Sequence, residues 1–310
     1  MSELENKVKK SIERLKAFEP PEGYYLAFSG GKDSVVCKAL LDEARCKYDA
    51  HYRVTTVDPP ELVRFIKDKH QDVHRDVPRY GSRRDGWADK PITMWNLIPW
   101  KMMPPTRIVR YCCDFLKESG GDGRMTVTGV RWAESVNRKS NQGIVTFPTK
   151  KAAKDVVLSD NSNFQSTISG GVVLTNDNEE SRRVVEQCYK RHKTTVNPII
   201  DWTDAEVWTF IRSNGIPYCE LYDEGFHRLG CVGCPMAGTK QREKEFSRWP
   251  KYKAAYISAF GKMIEERKRR GKLAGLWRMG DRPIDVFNWW MEYDVLPGQL
   301  TFEDLEEVNE

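Results

Sequence analysis

The segment Ser29-Gly30-Gly31-Lys32-Asp33-Ser34 has the composition of an anion cradle. Paired glycines let the backbone turn sharply and bring its N–H groups close to a ligand, and a helix opening behind them adds unpaired N–H donors and a favourable dipole. Ser29 and Ser34 add hydroxyls and Lys32 a cation. The spacing is not that of a Walker loop, G-x-x-x-x-G-K-[ST]. The ordinary alternative is a capped strand-to-helix turn. A second constellation is cysteine-based: the tandem pair Cys112-Cys113 and the motif Cys231-x-x-Cys234, flanked by glycine and proline. A C-x-x-C loop presents two thiolates to one metal and recurs in zinc and iron–sulfur sites; a redox pair is its other use. Tandem cysteines are unusual for structural zinc, where wider spacing lets thiolates converge without strain. Cys37, Cys46, Cys188 and Cys219 fall in helical or turn patterns and read as small buried hydrophobes. Arg131 and Arg138 suit forked hydrogen bonding to phosphate or sulfate. Glu134, three residues after Arg131, would be its neighbour on a helix start, and a plain surface ion pair is the alternative.

The elements that must position these residues follow from periodicity. Leu4, Val8, Ile12, Leu15 and Phe18 mark a first helix, with Ser2 and Glu5 as a capping box and Pro20-Pro21 as its stop. Tyr24 to Phe28 is a short apolar run fit for a buried strand, and it feeds the glycine turn and a helix from Asp33 to about Arg45. A second strand is expected over His51 to Val57, ending at Asp58-Pro59-Pro60, and a helix over Glu61 to His70. Strand, helix, strand, helix points to a parallel sheet with helices on its faces. Residues 79–105 read as irregular, Thr106 to Lys117 as helical, and Met125 to Gly129 as another strand. The composition from about 140 to 196 shifts to Ser, Asn, Gly and Lys, predicting an inserted arm with a hairpin near Gly170-Gly171. Thr195 to Ile200 is the last expected core strand. Asp201 to Ser213 is a helix with Thr203 and Glu206 as its capping box. The remainder is helical and basic, and the last ten residues carry five acids and no base.

The chain has 310 residues, with 50 basic against 45 acidic side chains, a net charge of +5. Its apolar fraction of 39% suits a packed core and argues against disorder over most of the length. No run reaches the roughly 18 apolar residues of a membrane span, and the first residues lack the apolar stretch of a secretory signal. The expectation is a cytoplasmic protein without membrane contact, in which eight cysteines are a poor match for a disulfide scaffold. Lys262 to Arg278 is strongly basic and is accompanied by Trp277, Trp289, Trp290 and Tyr293. Basic charge with exposed aromatics suits DNA or RNA; a solvated helix face above a core cluster is the alternative.

Ser-Gly-Gly-x-Asp-Ser after a strand resembles the pyrophosphate (PP) loop of the ATP pyrophosphatases in the adenine-nucleotide alpha-hydrolase-like (HUP) superfamily. Val57-Asp58-Pro59-Pro60-Glu61, Arg110-Tyr111-Cys112-Cys113 with Leu116-Lys117, Thr128-Gly129-Val130-Arg131 with Glu134-Ser135 and Arg138, Asn197 to Trp202, and Gly230 to Pro235 narrow the resemblance. It is to the phosphoadenosine-phosphosulfate (PAPS) reductase family in the broad sense. The resemblance implies an α/β fold with a Rossmann-like parallel sheet and helices on both faces. It places a nucleotide-binding domain at 1–238 with the insertion at about 140–196, and a helical extension with an acidic tail at 239–310. It implies an adenine nucleotide, ATP or APS/PAPS, held by Ser29, Gly30, Gly31, Lys32, Asp33, Ser34, Asp58, Lys117, Arg131, Glu134 and Arg138. Lys32, Asp33 and Arg131 would carry the chemistry, with Mg²⁺ near Asp33. Capping the following helix is the ordinary role for Asp58, and an ordinary helix-end lysine the one for Lys117.

Cys112, Cys113, Cys231 and Cys234 match the ligands of a [4Fe–4S] cluster in assimilatory APS reductases and in the sulfur-transfer ATPase subunit of DNA phosphorothioation systems. The phosphorothioation subunit is nearest in motif. It implies a transferase of sulfur metabolism that works as a homo-oligomer or complex subunit, with a cysteine desulfurase as sulfur donor and DNA or RNA as acceptor. Reductases of the family carry a nucleophilic cysteine in a late Glu-Cys-Gly-x-His context, and residues 235–310 contain neither cysteine nor histidine. They also tend to have a degraded loop, whereas Ser29 to Ser34 is intact. The expectation is therefore an ATP pyrophosphatase that adenylylates a substrate. The alternatives are an APS/PAPS reductase and a non-catalytic nucleotide-binding subunit of a nucleic-acid modification complex.

Overall fold

The structure is a computed structural model and describes residues 2–81, 89–146, 164–166, 172–174, 194–272 and 282–293. The chain divides into two compact units with interleaved segments. The first comprises Met1–Arg53, Pro60–Asp76 and Gly120–Leu229. The second comprises Val54–Pro59, Val77–Ser119 and Gly230–Glu310, so the boundary expected near 238 falls inside it.

The first unit is built on an eight-stranded sheet. Its strands are β1 (Tyr24–Ala27), β2 (Tyr48–Arg53), β3 (His74–Asp76), β4 (Thr126–Val127), β5 (Val145–Thr146), β6 (Phe164–Ser166), β7 (Val172–Leu174) and β8 (Thr195–Val196). Their spatial order is β3-β2-β1-β4-β8-β5-β7-β6. The first five are parallel neighbours, as the alternation of strands and helices predicts. The insertion extends the same sheet with the antiparallel strands β5, β7 and β6. The hairpin expected near Gly170-Gly171 is thus the β6–β7 pair, although its turn and Cys188 lie outside the described residues. From β1 the chain builds outward to β2 and β3, then returns to place β4 on the other side of β1. That reversal puts the carboxyl end of β1 at a topological switch point, where open α/β sheets bind ligands.

Helix α1 (Glu3–Ala17) starts at the expected capping box, with both Ser2 and Glu5 hydrogen bonds formed. It packs on α2 (Lys32–Ala44), which packs on α7 (Asp204–Ser213); the short helix α6 (Val136–Asn141) follows β4. Helix α3 (Pro60–Lys69) supplies Leu62 and Ile66 to the core. Beneath α1, Ser11 Oγ donates to the Pro198 carbonyl at 2.8 Å, and Trp202 Nε1 donates to Ser11 Oγ at 3.1 Å. Arg14 reaches both Asp201 oxygens at 2.8 and 3.1 Å. These bonds fold 198–201 into a turn, so β8 stops at Val196 rather than running on to Ile200. The turn delivers Trp202 and the Thr203 cap of α7 to fixed positions, and the Thr203–Glu206 capping box is formed as expected.

The second unit is helical. Its helices are α4 (Met94–Lys101), α5 (Tyr111–Leu116), α8 (Thr239–Arg248), α9 (Pro250–Arg269) and α10 (Pro283–Trp290). Helix α9 packs against α4 and α10 around Phe246, Tyr256, Phe260, Phe287 and Trp290. Of the aromatic run, Trp290 is a core residue, Trp289 is half-buried and Tyr293 is exposed. In the basic run Arg267 is buried, donating to the Met102 and Lys272 carbonyls, and Arg269 and Arg270 pair with Glu266. Trp277, Arg278 and the acidic tail lie outside the described residues. The helix expected over Thr106 to Lys117 shortens to α5, because Thr106 and Val109 close a turn on each other before Arg110. Among the described residues no helix is long and apolar enough to cross a membrane.

Candidate functional site

The loop Ser29 to Ser34 leaves β1 and opens α2 in the first unit. Gly30 has φ +73°, and a Cβ there would lie 2.8 Å from the Leu62 and Ile66 side chains. Only glycine meets both conditions, so the turn is pressed onto α3 without strain. Ser29 N–H donates to Ser34 Oγ at 3.2 Å, and Ser34 Oγ donates to the Gly31 carbonyl at 2.9 Å. The serine hydroxyls thus brace the loop. Gly31 is the N-cap of α2 and offers no side-chain acceptor to the first turn. Lys32 N–H instead donates to the Tyr222 hydroxyl at 2.9 Å.

Two buried cations flank this helix start. Lys32 is 6% exposed and Arg131 3%. Buried charge is costly unless paired, and both find the same two carboxylates. Arg131 Nε donates to Asp33 Oδ1 at 2.7 Å and its Nη2 to Asp204 Oδ1 at 3.0 Å. Lys32 Nζ lies 3.4 Å from Asp33 Oδ2 and 3.1 Å from Asp204 Oδ1. Burial opposes ionisation of Asp204, but the Lys32 hydrogen bond and charge, with Arg131, outweigh it and hold the carboxyl below its ordinary range. Burial pushes the Tyr222 hydroxyl up, against the Lys32 N–H and with help from Asp33. Gly129, just after β4, lies so close to Asp33 that a Cβ there would reach within 2.8 Å of it. Glu134 does not meet the Arg131 guanidinium; it accepts the Arg131 backbone N–H at 3.0 Å and pairs with Arg138.

Of the expected nucleotide-binding residues, Ser29 to Ser34, Arg131, Glu134 and Arg138 belong to the first unit. Asp58 and Lys117 belong to the second, where they sit with the cysteines. Asp204 and Tyr222 complete the cradle and were not singled out in the sequence. The only signal for Asp204 is its place after Trp202-Thr203; Tyr222 has none.

In the second unit Cys112, Cys113, Cys231 and Cys234 line one cavity of about 30 Å³ with Met94, Pro105, Leu116, Lys117, Pro235 and Tyr256. Cys112 and Cys113 lie in α5, and Cys231 to Cys234 form a tight turn. That turn is pinned by the Val232 N–H bond to the Val57 carbonyl at 2.8 Å and the Tyr256 hydroxyl bond to the Val232 carbonyl at 3.0 Å. Arg110 Nη2 donates to Cys113 Sγ at 3.3 Å. The hydrogen bond from Cys112 and the Arg110 cation favour the Cys113 thiolate, while the same bond and burial push Cys112 up. Burial pushes Cys231 up to about 12. Lys117 is held protonated by the charges of Cys231 and Asp58.

For a metal centre the donor set fits: four thiols, two adjacent cations to balance thiolate charge, and an apolar shell. Among the described residues, however, no three His, Cys, Asp or Glu side chains are arranged to hold a metal ion.

Comparison with known proteins accords with these features. Residues 23–237 match the family described as the phosphoadenosine phosphosulfate reductase domain. An uncharacterized protein of Methanocaldococcus jannaschii is 24% identical over 259 residues, 79% of this chain and 42% of that protein. A second from the same organism is 37% identical over 97 residues, 30% of this chain and 22% of the relative. An adenosine 5′-phosphosulfate reductase of Allochromatium vinosum is 39% identical over 54 residues, 17% of this chain and 21% of the enzyme. The chain thus spans less than half the length of these relatives. Among solved structures, a phosphoadenylyl-sulfate reductase from Candida auris in complex with phosphate aligns at 16% identity and TM-score 0.40, covering 74% of this chain and 96% of that one.

Proposed function

We propose that this chain, which belongs to the phosphoadenosine phosphosulfate reductase domain family, is an ATP pyrophosphatase that adenylylates an acceptor for sulfur transfer. One observation carries the reading. Two buried cations, Lys32 and Arg131, converge at a helix N-terminus on a glycine loop, paired with carboxylates that a polyphosphate can replace. Two cations already charged and oriented by displaceable carboxylates suit the β- and γ-phosphates of ATP, and the loop N–H groups at the switch point of the sheet suit their oxygens.

In the proposed reaction an acceptor oxygen attacks the α-phosphorus. The bond from that phosphorus to the bridging oxygen breaks, and pyrophosphate leaves with the electron pair. Lys32, Arg131 and the loop amides stabilise the charge gathering on it. A sulfur nucleophile then attacks the activated carbon or phosphorus and displaces AMP. Mg²⁺ would supply further charge neutralisation and suits Asp33 and Asp204 together with phosphate oxygens, being a hard cation. The four cysteines would hold a [4Fe–4S] cluster, which when bound supplies a sulfur carrier or a structural staple; Arg110 and Lys117 would orient and neutralise its thiolate ligands. A DNA or RNA acceptor, a cysteine desulfurase as sulfur donor and assembly into an oligomer belong to the same reading.

Pyrophosphate release from ATP by anaerobically purified protein, with and without nucleic acid, tests the activity. No release under any condition sinks it. Relatives named adenosine 5′-phosphosulfate reductase favour a second reading, and sulfite release from APS or PAPS with thioredoxin would put it first. The visible spectrum and iron content of the same protein test the cluster: a colourless protein with stoichiometric zinc refutes it.

A further inference from the structure

Among the described charged side chains none is more buried than Arg242, which is 1% exposed. It lies in the second unit, near the start of α8. Its Nη1 donates to the Trp290 carbonyl at 2.9 Å, and the guanidinium carbon lies 4.1 Å from the Trp290 ring centroid. Its Nε and Nη2 have no hydrogen-bond partner among the described residues. A buried cation is costly unless paired, so one left half-paired in a core needs a physical reason. Glu292 does not supply the missing bonds. Its carboxylate lies 3.9 Å from Arg107 and accepts from Thr239 at 3.5 Å.

The surroundings of Arg242 lead to the Cys231–Cys234 turn. Ala237 N–H donates to the Cys234 carbonyl at 2.9 Å, and Gly238 then caps α8 with no side-chain acceptor. Three residues beyond Arg242, Glu245 accepts the Gly233 N–H at 2.7 Å. The Trp290 ring against which the guanidinium packs would lie 3.2 Å from a Cβ on Gly233. Its Nε1 donates at 2.7 Å to the carbonyl of Pro105, a residue of the cysteine cavity. Burial disfavours the Arg242 charge, as does Arg107, whereas Glu292, Tyr256 and Cys234 favour it. The start of α8 adds positive potential at the same turn. Four thiolates carry more negative charge than a [4Fe–4S] core or a zinc ion returns. Arg110 meets that charge at Cys113 and Lys117 meets it at Cys231. On the Cys234 side the second unit offers Arg242 and the start of α8.

We propose that Arg242 is a positioning residue of the cysteine centre, a cation held by α8 and Trp290 to balance thiolate charge on the Cys234 side. The proposal rests on the reading of the four cysteines as cluster ligands, and adds to them a residue outside both cysteine motifs. It also gives a reason for an arginine in a core position whose shape a methionine would fill.

The test compares full-length wild type, Arg242→Met and Arg242→Lys, all purified without oxygen. Loss of a group that supports metal ligands costs 10–100-fold in metal affinity. Arg242→Met should therefore lose iron to a competing ferrous chelator about 10- to 100-fold more readily, and Arg242→Lys, which keeps the charge, should hold most of it. The reduction potential, from dye-mediated titration followed in the visible spectrum, is the second readout. A unit charge about 6 Å away shifts an equilibrium about threefold even at a dielectric of 80. Reduction of Arg242→Met should be disfavoured by at least about threefold, or about 30 mV for one electron. Melting of the iron-free proteins separates this effect from damaged folding: Arg242→Met should stay within about 4 °C of wild type. Wild-type iron retention and potential in Arg242→Met overturn the proposal. So do equal losses in Arg242→Met and Arg242→Lys, or a large drop in melting of both iron-free variants, which make the role structural. If wild type holds iron and Arg242→Met holds it equally well, only the role of Arg242 fails. If wild type holds no iron, the cluster reading fails and takes the proposal with it.

Discussion

Replacing Asp204 by Asn should make the protein less stable and its phosphate cradle more receptive. Asp204 Oδ1 takes hydrogen bonds from Lys32 and Arg131, both buried, but its own side chain is 61% exposed. Solvent therefore screens the pairs, and their loss should cost about 1 kcal/mol, the upper end for exposed ion pairs. For a unit of about 150–250 residues that lowers the melting temperature by about 2–4 °C. A bound phosphate, by contrast, loses a repulsive neighbour. At a separation of about 5 Å and an effective dielectric between 20 and 80, one charge is worth roughly 1–3 kcal/mol; exposure favours the lower end, or about fivefold in affinity. Calorimetric titration with inorganic triphosphate, without Mg²⁺, measures it. The pH dependence gives a second check. The folded carboxyl of Asp204 is held below its ordinary value, so its stabilisation is present above the unfolded value, about 3.9, and is lost as pH falls through the lower folded value. The melting gap between wild type and Asp204→Asn should be constant from pH 7 to about pH 4 and close below it. Weaker triphosphate binding by Asp204→Asn would refute the view of Asp204 as a displaceable counter-charge.

Gly30→Ala should destabilise the first unit by about 2–4 kcal/mol, from a left-handed alanine and overpacking on Leu62 and Ile66, and weaken binding of an ATP analogue more than tenfold; denaturant unfolding and titration check both. Gly233→Ala combines φ +70° with a Cβ 2.5 Å from the Phe246 ring, so it should cost about 3 kcal/mol and lower the iron retained after anaerobic purification. Arg242 is 1% exposed, with one hydrogen bond to the Trp290 carbonyl and a cation–π contact at 4.1 Å, while its Nε and Nη2 have no hydrogen-bond partner among the described residues. Arg242→Met should therefore change stability by less than about 1 kcal/mol in either direction, and a loss above about 3 kcal/mol in thermal melting would show the guanidinium to be fully paired.

Residues that act through their neighbours in the chain were legible in the sequence. The capping boxes Ser2–Glu5 and Thr203–Glu206 are formed because each needs only three-residue spacing and a following helix. The loop Ser29 to Ser34 was readable for the same reason: strand, glycines and helix start are contiguous. Elements whose limits depend on distant contacts were not. β8 ends early because Ser11 and Arg14 capture the Pro198 carbonyl from 187 and 184 residues away. The three-residue strand β3 has too few positions to show alternation, and it pairs only because β2 offers it an edge. The insertion looked like a polar excursion, yet its strands lengthen the sheet antiparallel, since a strand following β4 can pair with the open side of β8 without a crossover.

The cradle divides along the same line. A lysine and an arginine suggest an anion site by type, but two cations brought together in a buried place must first be neutralised by the protein itself. Two carboxylates share that work: Asp33 is the next residue to Lys32, whereas Asp204 lies 172 positions after it and reads in the sequence as an ordinary first-turn acid of α7. Its local role and its site role share one cause. Thr203 starts the helix, the helix start favours an acid, and the α1 clamp on Pro198 and Asp201 sets where that acid falls. The pairing leaves the cations charged and oriented before any ligand arrives, which lowers the reorganisation that phosphate binding requires.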